Sequence, residues 1–455
     1  MQADSTIVAL STPPGRSGIG VIRISGERAL DLTRSLVRDP DFSPEPNRVT
    51  LKPIFDPDSL ETIDRVVVTF FKSPHSYTGD DVVELSCHGS PPLLLRVLDS
   101  LLRFGARTAD PGEFTMRAVA NGRLNLTQAE AVRDLIDART HEAVRQAARQ
   151  LDGELSKRLQ PIKDELLEII VPLESSLEFV EDDLPEDIGR NIEQRLSTLS
   201  AKIDEMTDSF RRGRLLKDGL RVALVGRPNV GKSSLFNKLL SSDRAIVTEI
   251  PGTTRDTISE VINIEGIPVL ITDTAGMRSS SDRIEQLGIE RTRRVIADAD
   301  LIVAVLDGSQ PLLDEDREIV REASANRCVV ARNKSDLESF CGNNAHQIDD
   351  KLVSVSVSAM TGSGLDVLCG EIIKPFTAGY LDESSFVITN ARHYDLLRRS
   401  AEALQASQGL LREKVSEELI LANLYESLRF LGEITGETTP EDILSQIFST
   451  FCIGK

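Results

Sequence analysis

Residues 220–233 read LRVALVGRPNVGKS and carry the strongest structural signal in the chain. An apolar run of strand length is followed directly by the pattern G-x-x-x-x-G-K-[ST], from Gly226 to Ser233. Glycines let backbone N–H groups approach phosphate oxygens, a lysine such as Lys232 neutralises the β- and γ-phosphates, and a hydroxyl ligates Mg²⁺. The stretch therefore predicts a strand, a phosphate-binding loop and a helix.

Strand and helix patterns alternate around this loop, from residue 220 to about residue 375. Apolar runs at residues 301–306 and 328–330 are typical of strands buried on both faces. Such runs, separated by helical segments, indicate a mostly parallel, doubly wound sheet. We therefore predict a Ras-like P-loop domain in this part of the chain.

The motif Asn333-Lys334-Ser335-Asp336 follows the run at residues 328–330. The carboxylate of Asp336 can accept hydrogen bonds from guanine N1–H and the exocyclic amine, which adenine does not offer in this arrangement. Ser358, Ala359 and Met360 follow the next predicted strand and are expected to support the base. Together with the phosphate loop, these residues predict GTP rather than ATP.

Two segments between these motifs are expected to complete the phosphate site. Asp273 is predicted to act on Mg²⁺ through water, and the Gly276 amide to contact the γ-phosphate. The GTTRD segment at residues 252–256 is expected to supply a threonine hydroxyl to Mg²⁺. Thr254 is preferred for this role, with Thr253 as the alternative.

The turn at residues 273–277, DTAGM, lacks a glutamine after its glycine. In Ras-like switches that glutamine orients the attacking water. Met277 and Arg278 cannot do so, which leaves either slow hydrolysis or another means of placing the water. The predicted GTP contacts are Asn229, Val230, Gly231, Lys232, Ser233, Ser234, Thr248, Glu249, Ile250, Pro251, Gly252, Thr253, Thr254, Asp273, Thr274, Ala275, Gly276, Asn333, Lys334, Asp336, Ser358, Ala359 and Met360.

The amino-acid composition limits the classes of protein to which the chain can belong. With 455 residues, 40% hydrophobic and 27% charged, the chain has the composition of a globular protein of about three domains. No apolar run reaches the roughly 18 residues of a membrane span, and no export signal is apparent. Five cysteines without metal-ligand spacing favour free thiols and a cytoplasmic location. A net charge of −19 and 4% aromatics disfavour non-specific nucleic-acid binding, so any RNA contact is local or shared with a partner.

The flanking regions have different patterns. Residues 1–120 contain short β-branched runs with Pro and Gly, which indicate an α+β domain. A helical pattern begins at Thr127, where TQAE has capping-box spacing, and continues to about residue 214. Residues 181–187, EDDLPED, are interpreted as a solvated loop with a break at Pro185 rather than a metal site, and residues 439–442, TPED, as the start of a last helix. After about residue 389 the apolar residues at helical spacing are Leu396, Leu397, Ala401, Leu404, Leu419, Ala422 and Leu428.

We therefore predict a multidomain α/β protein in which the P-loop domain is inserted into a helical domain. The predicted domains are residues 1–120 (α+β), 121–215 (first helical half), 216–380 (G domain) and 381–455 (second helical half with the terminal FCIGK).

The combined motifs resemble the MnmE (TrmE) family of bacterial and organellar tRNA-modification GTPases over essentially the whole chain. The resemblance includes Asn229 in the phosphate loop, GTTRD, DTAG, NKSD and the split helical flanks. It also includes residues 6–26, TIVALSTPPGRSGIGVIRISG, the segments SYTGDDVVELSCHG and DPGEFTMRAVANGRLNLTQAEAV, and residues 451–455, FCIGK. A generic GTPase has no reason to end in that pentapeptide.

The resemblance implies a folate-binding-like N-terminal domain that dimerises the protein and binds a tetrahydrofolate derivative (5-formyl or 5,10-methylene form). The positions that match the folate contacts are Arg23, Glu84, Arg123 and Lys455; Arg123 stands where many relatives have lysine. Cys452 matches a cysteine associated with the modification activity, although a buried, inert thiol is the alternative. A dyad of Cys87 with His88 is disfavoured because neighbours in a strand point to opposite faces.

The resemblance also implies hydrolysis by paired G domains with K⁺ in place of an arginine finger. Matching K⁺ ligands are Asn229, Thr248, Ile250 and Thr253. Glu285 matches the residue that orients water, and Arg278 is interpreted as a switch residue. With Lys232 and Cys452, these two are the predicted catalytic residues.

The implied partners are a second copy of the chain, an FAD-dependent protein of the MnmG (GidA) type that also uses NADH, and tRNA. Together the two proteins form a heterotetramer that modifies C5 of the wobble uridine, position 34, with an aminomethyl or carboxymethylaminomethyl group. The main alternative is a regulatory or ribosome-assembly GTPase without a modification role. A further, compatible possibility is that residues 1–120 form a folate-binding or dimerisation module without catalytic parts.

Overall fold

A computed structural model of the chain describes residues 5–178, 186–241, 259–273, 295–341, 352–377, 386–413, 417–438, 444 and 447–454. The chain divides into two compact units. One comprises Met1–Arg133, Gln150–Pro172 and Tyr425–Lys455, and the other Asp134–Arg149 and Leu173–Leu424. No helix of the described residues is both long and apolar enough to cross a membrane.

The first unit contains a six-stranded mixed sheet. Its strands are β1 Ile7–Leu10, β2 Ile19–Ser25, β3 Val49–Phe55, β4 Thr62–Phe71, β5 Val82–His88 and β6 Arg107–Thr108. Their order is β3-β4-β5-β2-β1-β6. β1 and β6 are parallel, and all other neighbours are antiparallel. The α+β architecture expected for this region is confirmed.

One face of this sheet is packed and the other is partly open. Alternate strand residues such as Ile22, Ile24 and Leu85 are buried in one apolar cluster with residues of helices α1 (Ala29–Val37) and α2 (Pro91–Arg103). Helix α3 (Glu113–Ala120) follows β6. Because side chains alternate along a strand, Arg23 and Glu84 lie opposite each other on the less buried face.

The cysteine in β5 is on the packed face. Cys87 is buried whereas His88 is exposed, as the alternation of a strand predicts. Burial raises the pKa of the Cys87 thiol to about 12. His88 instead contacts Asp64, with Nδ1 and Oδ1 2.8 Å apart. The structure therefore contains no Cys87–His88 dyad.

The helical segments flank the second sheet in sequence. They are α4 Leu126–Asp137, α5 His141–Leu151, α6 Glu154–Glu178, α7 Glu186–Asp208 and α8 Phe210–Asp218 before it. After it come α12 Ala391–Arg412 and α13 Glu417–Thr435.

The predicted cap of α4 was placed two residues too late. Asn125 is the capping residue: its Oδ1 accepts from Gln128 N at 2.9 Å, and Gln128 Oε1 accepts from Asn125 N at 3.1 Å. Thr127 is inside the helix, and its hydroxyl donates to Asn125 Oδ1. The pairs Asn125–Gln128 and Thr127–Glu130 both have the spacing of a capping box, and the structure forms the pair that makes reciprocal hydrogen bonds.

The helical pattern predicted after residue 389 is confirmed by α12 and α13, but its apolar residues are all buried only in α12. Leu396, Leu397, Ala401 and Leu404 are all buried. In α13, Leu419 and Ala422 are exposed and Leu428 is only partly buried. The buried apolar residues there are Ile420, Leu421, Leu424, Phe430, Leu431 and Ile434. A run of four apolar residues at 419–422 does not identify the buried face by itself.

The second unit contains the predicted parallel sheet. Its strands are β7 Leu220–Val225, β8 Ser259–Ile264, β9 Ile267–Asp273, β10 Leu301–Asp307, β11 Cys328–Asn333 and β12 Val353–Ser356. Their order is β12-β11-β10-β7-β9-β8, parallel except for β8 against β9. Helices α9 Lys232–Ser241, α10 Asp314–Ala323 and α11 Leu365–Thr377 connect and cover it. The P-loop fold class is confirmed.

Several sequence predictions lie outside the described residues. They concern residues 181–185 of the acidic loop predicted at 181–187, the DTAGM turn beyond Asp273, and the helix start at residues 439–442. The same applies to the site residues Thr248, Glu249, Ile250, Pro251, Gly252, Thr253, Thr254, Thr274, Ala275, Gly276, Arg278, Glu285 and Lys455. The last two residues of the predicted acidic loop, Glu186 and Asp187, instead begin helix α7.

Candidate functional site

The phosphate loop joins the end of β7 to the start of α9, and its backbone requires glycine at two positions. Gly226 has φ +153°, and a Cβ there would lie 2.3 Å from the Val305 carbonyl oxygen. Gly231 has φ +96°, and its Cβ would lie 2.2 Å from Asn333 Nδ2. Asn229 also has a positive φ, of 63°. Sterics therefore set the loop before any ligand binds.

Lys232 lies at the first position of α9 and is buried. Its Nζ donates to the Gly226 carbonyl at 2.8 Å and to the Arg227 carbonyl at 2.7 Å. The ammonium group is therefore held by the backbone of the loop that it belongs to.

Ser233 and Asp273 meet beside the loop. The Ser233 hydroxyl donates to Asp273 Oδ2 at 2.7 Å, and Asp273 is buried at the end of β9. A hydroxyl and a carboxylate are hard oxygen donors of the kind that Mg²⁺ takes alongside nucleotide phosphates and water. Ser233 and Asp273 therefore have the ligand types expected of the predicted Mg²⁺ site. One protein carboxylate is sufficient there, because nucleotide phosphates and water supply the other oxygen ligands.

The residues predicted to bind the base form a connected network. Asn333 Nδ2 donates to the Val230 carbonyl at 2.9 Å, and Asn333 Oδ1 accepts from Ala359 N at 3.0 Å. The Ser358 hydroxyl donates to Asp336 Oδ1 at 2.5 Å, while Asp336 itself is exposed. Asn333 thus ties the phosphate loop to the supporting loop, and an oriented carboxylate is left at the surface.

Lys334 and Met360 occupy the edges of this network. Lys334 has φ +67°, and its Nζ contacts Asp307 Oδ2 at 2.7 Å. Burial raises the pKa of Asp307, but the hydrogen bonds from Lys334 and Ser309 outweigh it, and the net pKa is lowered. The Met360 side chain is 82% exposed and makes no packing contribution that would fix it. Asp307 was not identified from the sequence, which gives no sign of which acid Lys334 meets.

A second partner of the loop was also missed. Arg227 Nε donates to Asp316 Oδ1 at 2.6 Å, across 89 residues of sequence. Asp316 is in the first turn of α10, where three consecutive acids look like ordinary helix-start residues. The sequence shows an arginine in the loop, but it does not show which acid that arginine contacts.

In the first unit, the predicted folate contacts Arg23 and Glu84 form an ion pair with each other. Arg23 Nε and Nη2 donate to Glu84 Oε1 at 2.9 and 2.7 Å. Arg23 Nη1 donates to the Gly454 carbonyl at 3.3 Å. The guanidinium also lies 5.5 Å from the ring centroid of Tyr77 and 5.7 Å from that of Phe114. The two aromatic contacts and the tail carbonyl were not predicted.

The terminal tail is docked in this unit. The Ser11 hydroxyl donates to the Gly454 carbonyl at 3.2 Å, and Gly112 N donates to the Cys452 carbonyl at 3.4 Å. Cys452 is exposed, so the alternative of a buried, inert thiol is wrong. Arg123 is exposed beside Gly79, and in the described residues no hydrogen bond or ion pair joins its side chain to Arg23 or Glu84.

Comparison with known proteins places these two sites in one family. The family described as the MnmE helical domain matches residues 126–452, and the GTP-binding protein TrmE N-terminus matches residues 6–123. The tRNA modification GTPase MnmE of Koribacter versatilis is 44% identical over 458 residues and is aligned over 100% of both chains. The chain belongs to the MnmE family.

Two further relatives have the same name and also align with almost the whole chain. MnmE of Aquifex aeolicus is 43% identical, with 99% of each chain aligned. MnmE of Lactiplantibacillus plantarum is 39% identical, with 99% of this chain and 98% of the relative aligned. The family match therefore includes both the phosphate-loop site and the Arg23–Glu84 cluster.

Proposed function

We propose that this chain is a GTP-hydrolysing tRNA-modification enzyme. It acts with an FAD-dependent, NADH-using partner of the MnmG type to add an aminomethyl or carboxymethylaminomethyl group at C5 of the wobble uridine, position 34. The observation that carries the proposal is the pre-set phosphate loop, with its Ser233–Asp273 pair, in a chain aligned with MnmE relatives over its full length. Family membership supports GTP binding and the tRNA role directly.

The site geometry supports the nucleotide roles that we propose for the described residues. Lys232 exchanges its loop carbonyls for β- and γ-phosphate oxygens, and the backbone around Val230, Gly231 and Ser234 donates to the phosphates. Asp336, oriented by Ser358, accepts from guanine. Ser233, Asp273 and Thr254 would hold Mg²⁺, which neutralises charge on the phosphates when bound.

The catalytic roles beyond these contacts rest on the family. We propose that Asn229, Thr248, Ile250 and Thr253 hold K⁺ and that Glu285 orients the attacking water, with Arg278 as a switch residue. The exposure of Asn229 at the loop surface is compatible with a role as an ion ligand. Pairing of two G domains in a homodimer would then complete the site, which accounts for activity without the glutamine that DTAGM lacks.

The Arg23–Glu84 cluster is proposed as the folate site. A carboxylate can pair with the amino edge of a pterin, and Arg23, Arg123 and Lys455 are cations for the glutamate tail of a 5-formyl or 5,10-methylene tetrahydrofolate. Cys452, whose backbone bonds to Gly112, is exposed in the same tail. We propose the four predicted domains, 1–120, 121–215, 216–380 and 381–455, and a cytoplasmic location for the heterotetramer.

The test is nucleoside mass spectrometry of tRNA from a bacterial strain that lacks its own MnmE. The chain should restore the modified wobble uridine, whereas Lys232→Ala should not, because it lacks the phosphate-binding ammonium group. Lys238→Ala, on the same helix α9, is the matched control and should restore it.

An unmodified wobble uridine with the unaltered chain present and stably expressed would contradict the proposal. If ribosome profiles were corrected instead, the alternative of a ribosome-assembly GTPase would be favoured.

A further inference from the structure

The side chain of Arg227 is directed to a helix rather than left in solvent. Arg227 is the charged residue among the four positions between Gly226 and Gly231 of the phosphate loop. Its Nε lies 2.6 Å from Asp316 Oδ1, and the two side chains are 13% and 3% exposed. The hydrogen bond to Asp316 raises the pKa of Arg227, so the guanidinium group stays charged.

Asp316 uses both carboxylate oxygens. Oδ1 accepts from Arg227, and Oδ2 accepts from the Leu313 backbone N–H at 3.0 Å. The second bond fixes the first turn of α10, because it satisfies a backbone donor at the helix start. The start of α10 and the phosphate loop are thus held by one carboxylate.

The backbone of Arg227 is held from the other side. Its carbonyl accepts from Lys232 Nζ at 2.7 Å, next to the Gly226 carbonyl at 2.8 Å. Gly226 itself cannot shift toward β10, because it already lies against the Val305 carbonyl. Residue 227 is therefore the point where the loop is attached both to α10 and to the lysine that binds phosphate.

We propose that Arg227 and Asp316 are positioning residues for the phosphate loop, which fix the backbone that Lys232 contacts and so set how tightly the site holds guanine nucleotides. Neither residue needs to touch the nucleotide for this role. The pair acts on the loop equally before and during phosphoryl transfer, so we expect it to change binding of substrate and transition state alike. A uniform effect of this kind raises KM and leaves kcat nearly unchanged.

A double-mutant cycle on the full-length protein tests the pair. The variants are Arg227→Met, which keeps most of the side-chain stem, Asp316→Asn, which keeps an acceptor for Leu313, and both together. The measurements are kcat and KM for GTP, the release rate of a fluorescent GDP analogue, and the melting temperature. Glu315→Gln is the control, because Glu315 is the exposed acid next to Asp316 in the same turn.

Each single variant should raise KM and speed GDP-analogue release by about tenfold, the effect of losing one charge-assisted hydrogen bond. The double variant should also show about tenfold rather than about a hundredfold, because both changes remove the same interaction. Arg227→Lys, which keeps the charge, should recover part of the loss. Glu315→Gln should match the unaltered protein.

Three results would overturn the proposal. Additive effects in the double variant would show that the two residues act independently. Weakened binding in Arg227→Met with normal binding in Asp316→Asn would make Arg227 a direct nucleotide ligand. A fall in kcat at unchanged KM would place the pair in the chemical step. A single variant leaves one buried charge unpaired and could melt too low to assay. The double variant leaves no buried charge unpaired, so in that case its KM and GDP-analogue release rate test the proposal: a tenfold change supports it, and no change contradicts it.

Discussion

The nucleotide site and the Arg23–Glu84 cluster are assembled from very different distances along the chain. The phosphate loop and its lysine lie within residues 226–233, and the other nucleotide residues follow the carboxyl ends of strands in one parallel sheet. The cluster joins Arg23 to Glu84 across 61 residues and to Gly454 across 431. Local backbone geometry therefore defines the phosphate loop of the first site, whereas long-range contacts define the whole of the second site.

Each of the two sites nevertheless contains a glycine that lies against a backbone carbonyl oxygen. Gly226 lies against the Val305 carbonyl, and Gly454 lies against the Leu10 carbonyl, with built Cβ distances of 2.3 and 2.5 Å. Both have positive φ, of 153° and 96°. The difference is what surrounds each glycine: Gly226 lies in the short loop between β7 and α9, whereas the carbonyl of Gly454 is held by side-chain hydrogen bonds from Ser11 and Arg23. The same substitution should therefore have very different consequences.

The largest effect is expected for Gly226→Ala. The added Cβ would overlap the Val305 oxygen, and the loop could relieve this only by moving the carbonyls that hold Lys232. We expect GTP affinity, measured by fluorescence titration, to fall by about a hundredfold or more, which corresponds to about 2.7 kcal/mol. Gly370→Ala is the control, since a Cβ at Gly370 meets nothing within 4 Å. Near-normal affinity in Gly226→Ala would show that the loop is not fixed by sterics.

The nucleotide site could be predicted because its chemistry lies in contiguous residues. The P-loop, Asp273 and the motif at residues 333–336 each combine a residue type, a spacing and a strand end. Their partners could not be predicted in the same way. Asp307 and Asp316 contact Lys334 and Arg227 only because the sheet brings strand ends and helix starts together. Nothing in an acidic residue's own surroundings shows which cation it meets.

The second site was predictable only through the family resemblance. Arg23 and Glu84 alone have the appearance of surface residues, and their pairing depends on the register of β2 against β5. The Gly454 carbonyl is a backbone group and has no sequence signature at all. The misplaced α4 cap at Thr127 has the same origin, since two registers fit one pattern and tertiary contacts decide between them.

An intermediate effect is expected for Glu84→Gln in the Arg23–Glu84 cluster. The neutral amide keeps an oxygen that can accept from Arg23, but it loses the negative charge that strengthens both bonds and that is proposed to pair with a pterin. We expect the Kd for 5-formyl-tetrahydrofolate, measured by calorimetry, to rise about tenfold, with GTP affinity unchanged. Glu45→Gln removes an exposed carboxylate of the same unit that pairs with Arg48 in the described part of the chain, and it should bind folate normally. An unchanged Kd in folded Glu84→Gln would remove Glu84 from the folate site.

The most local effect is expected for Gly454→Ala, because two side-chain hydrogen bonds hold the residue 454 carbonyl, whereas the phosphate loop is held between β7 and α9. The added Cβ would meet the Leu10 carbonyl, so the tail should give up the bonds from Arg23 Nη1 and the Ser11 hydroxyl to residue 454. Two such bonds are worth about 1–3 kcal/mol together, so amide hydrogen exchange in residues 447–454 should speed up about tenfold, without change elsewhere. Gly18→Ala, where a Cβ meets nothing within 4 Å, should exchange as the unaltered chain does. Global loss of protection in Gly454→Ala would mean that the tail is part of the core of its unit, and that long-range contacts there are as strict as the local sterics of the phosphate loop.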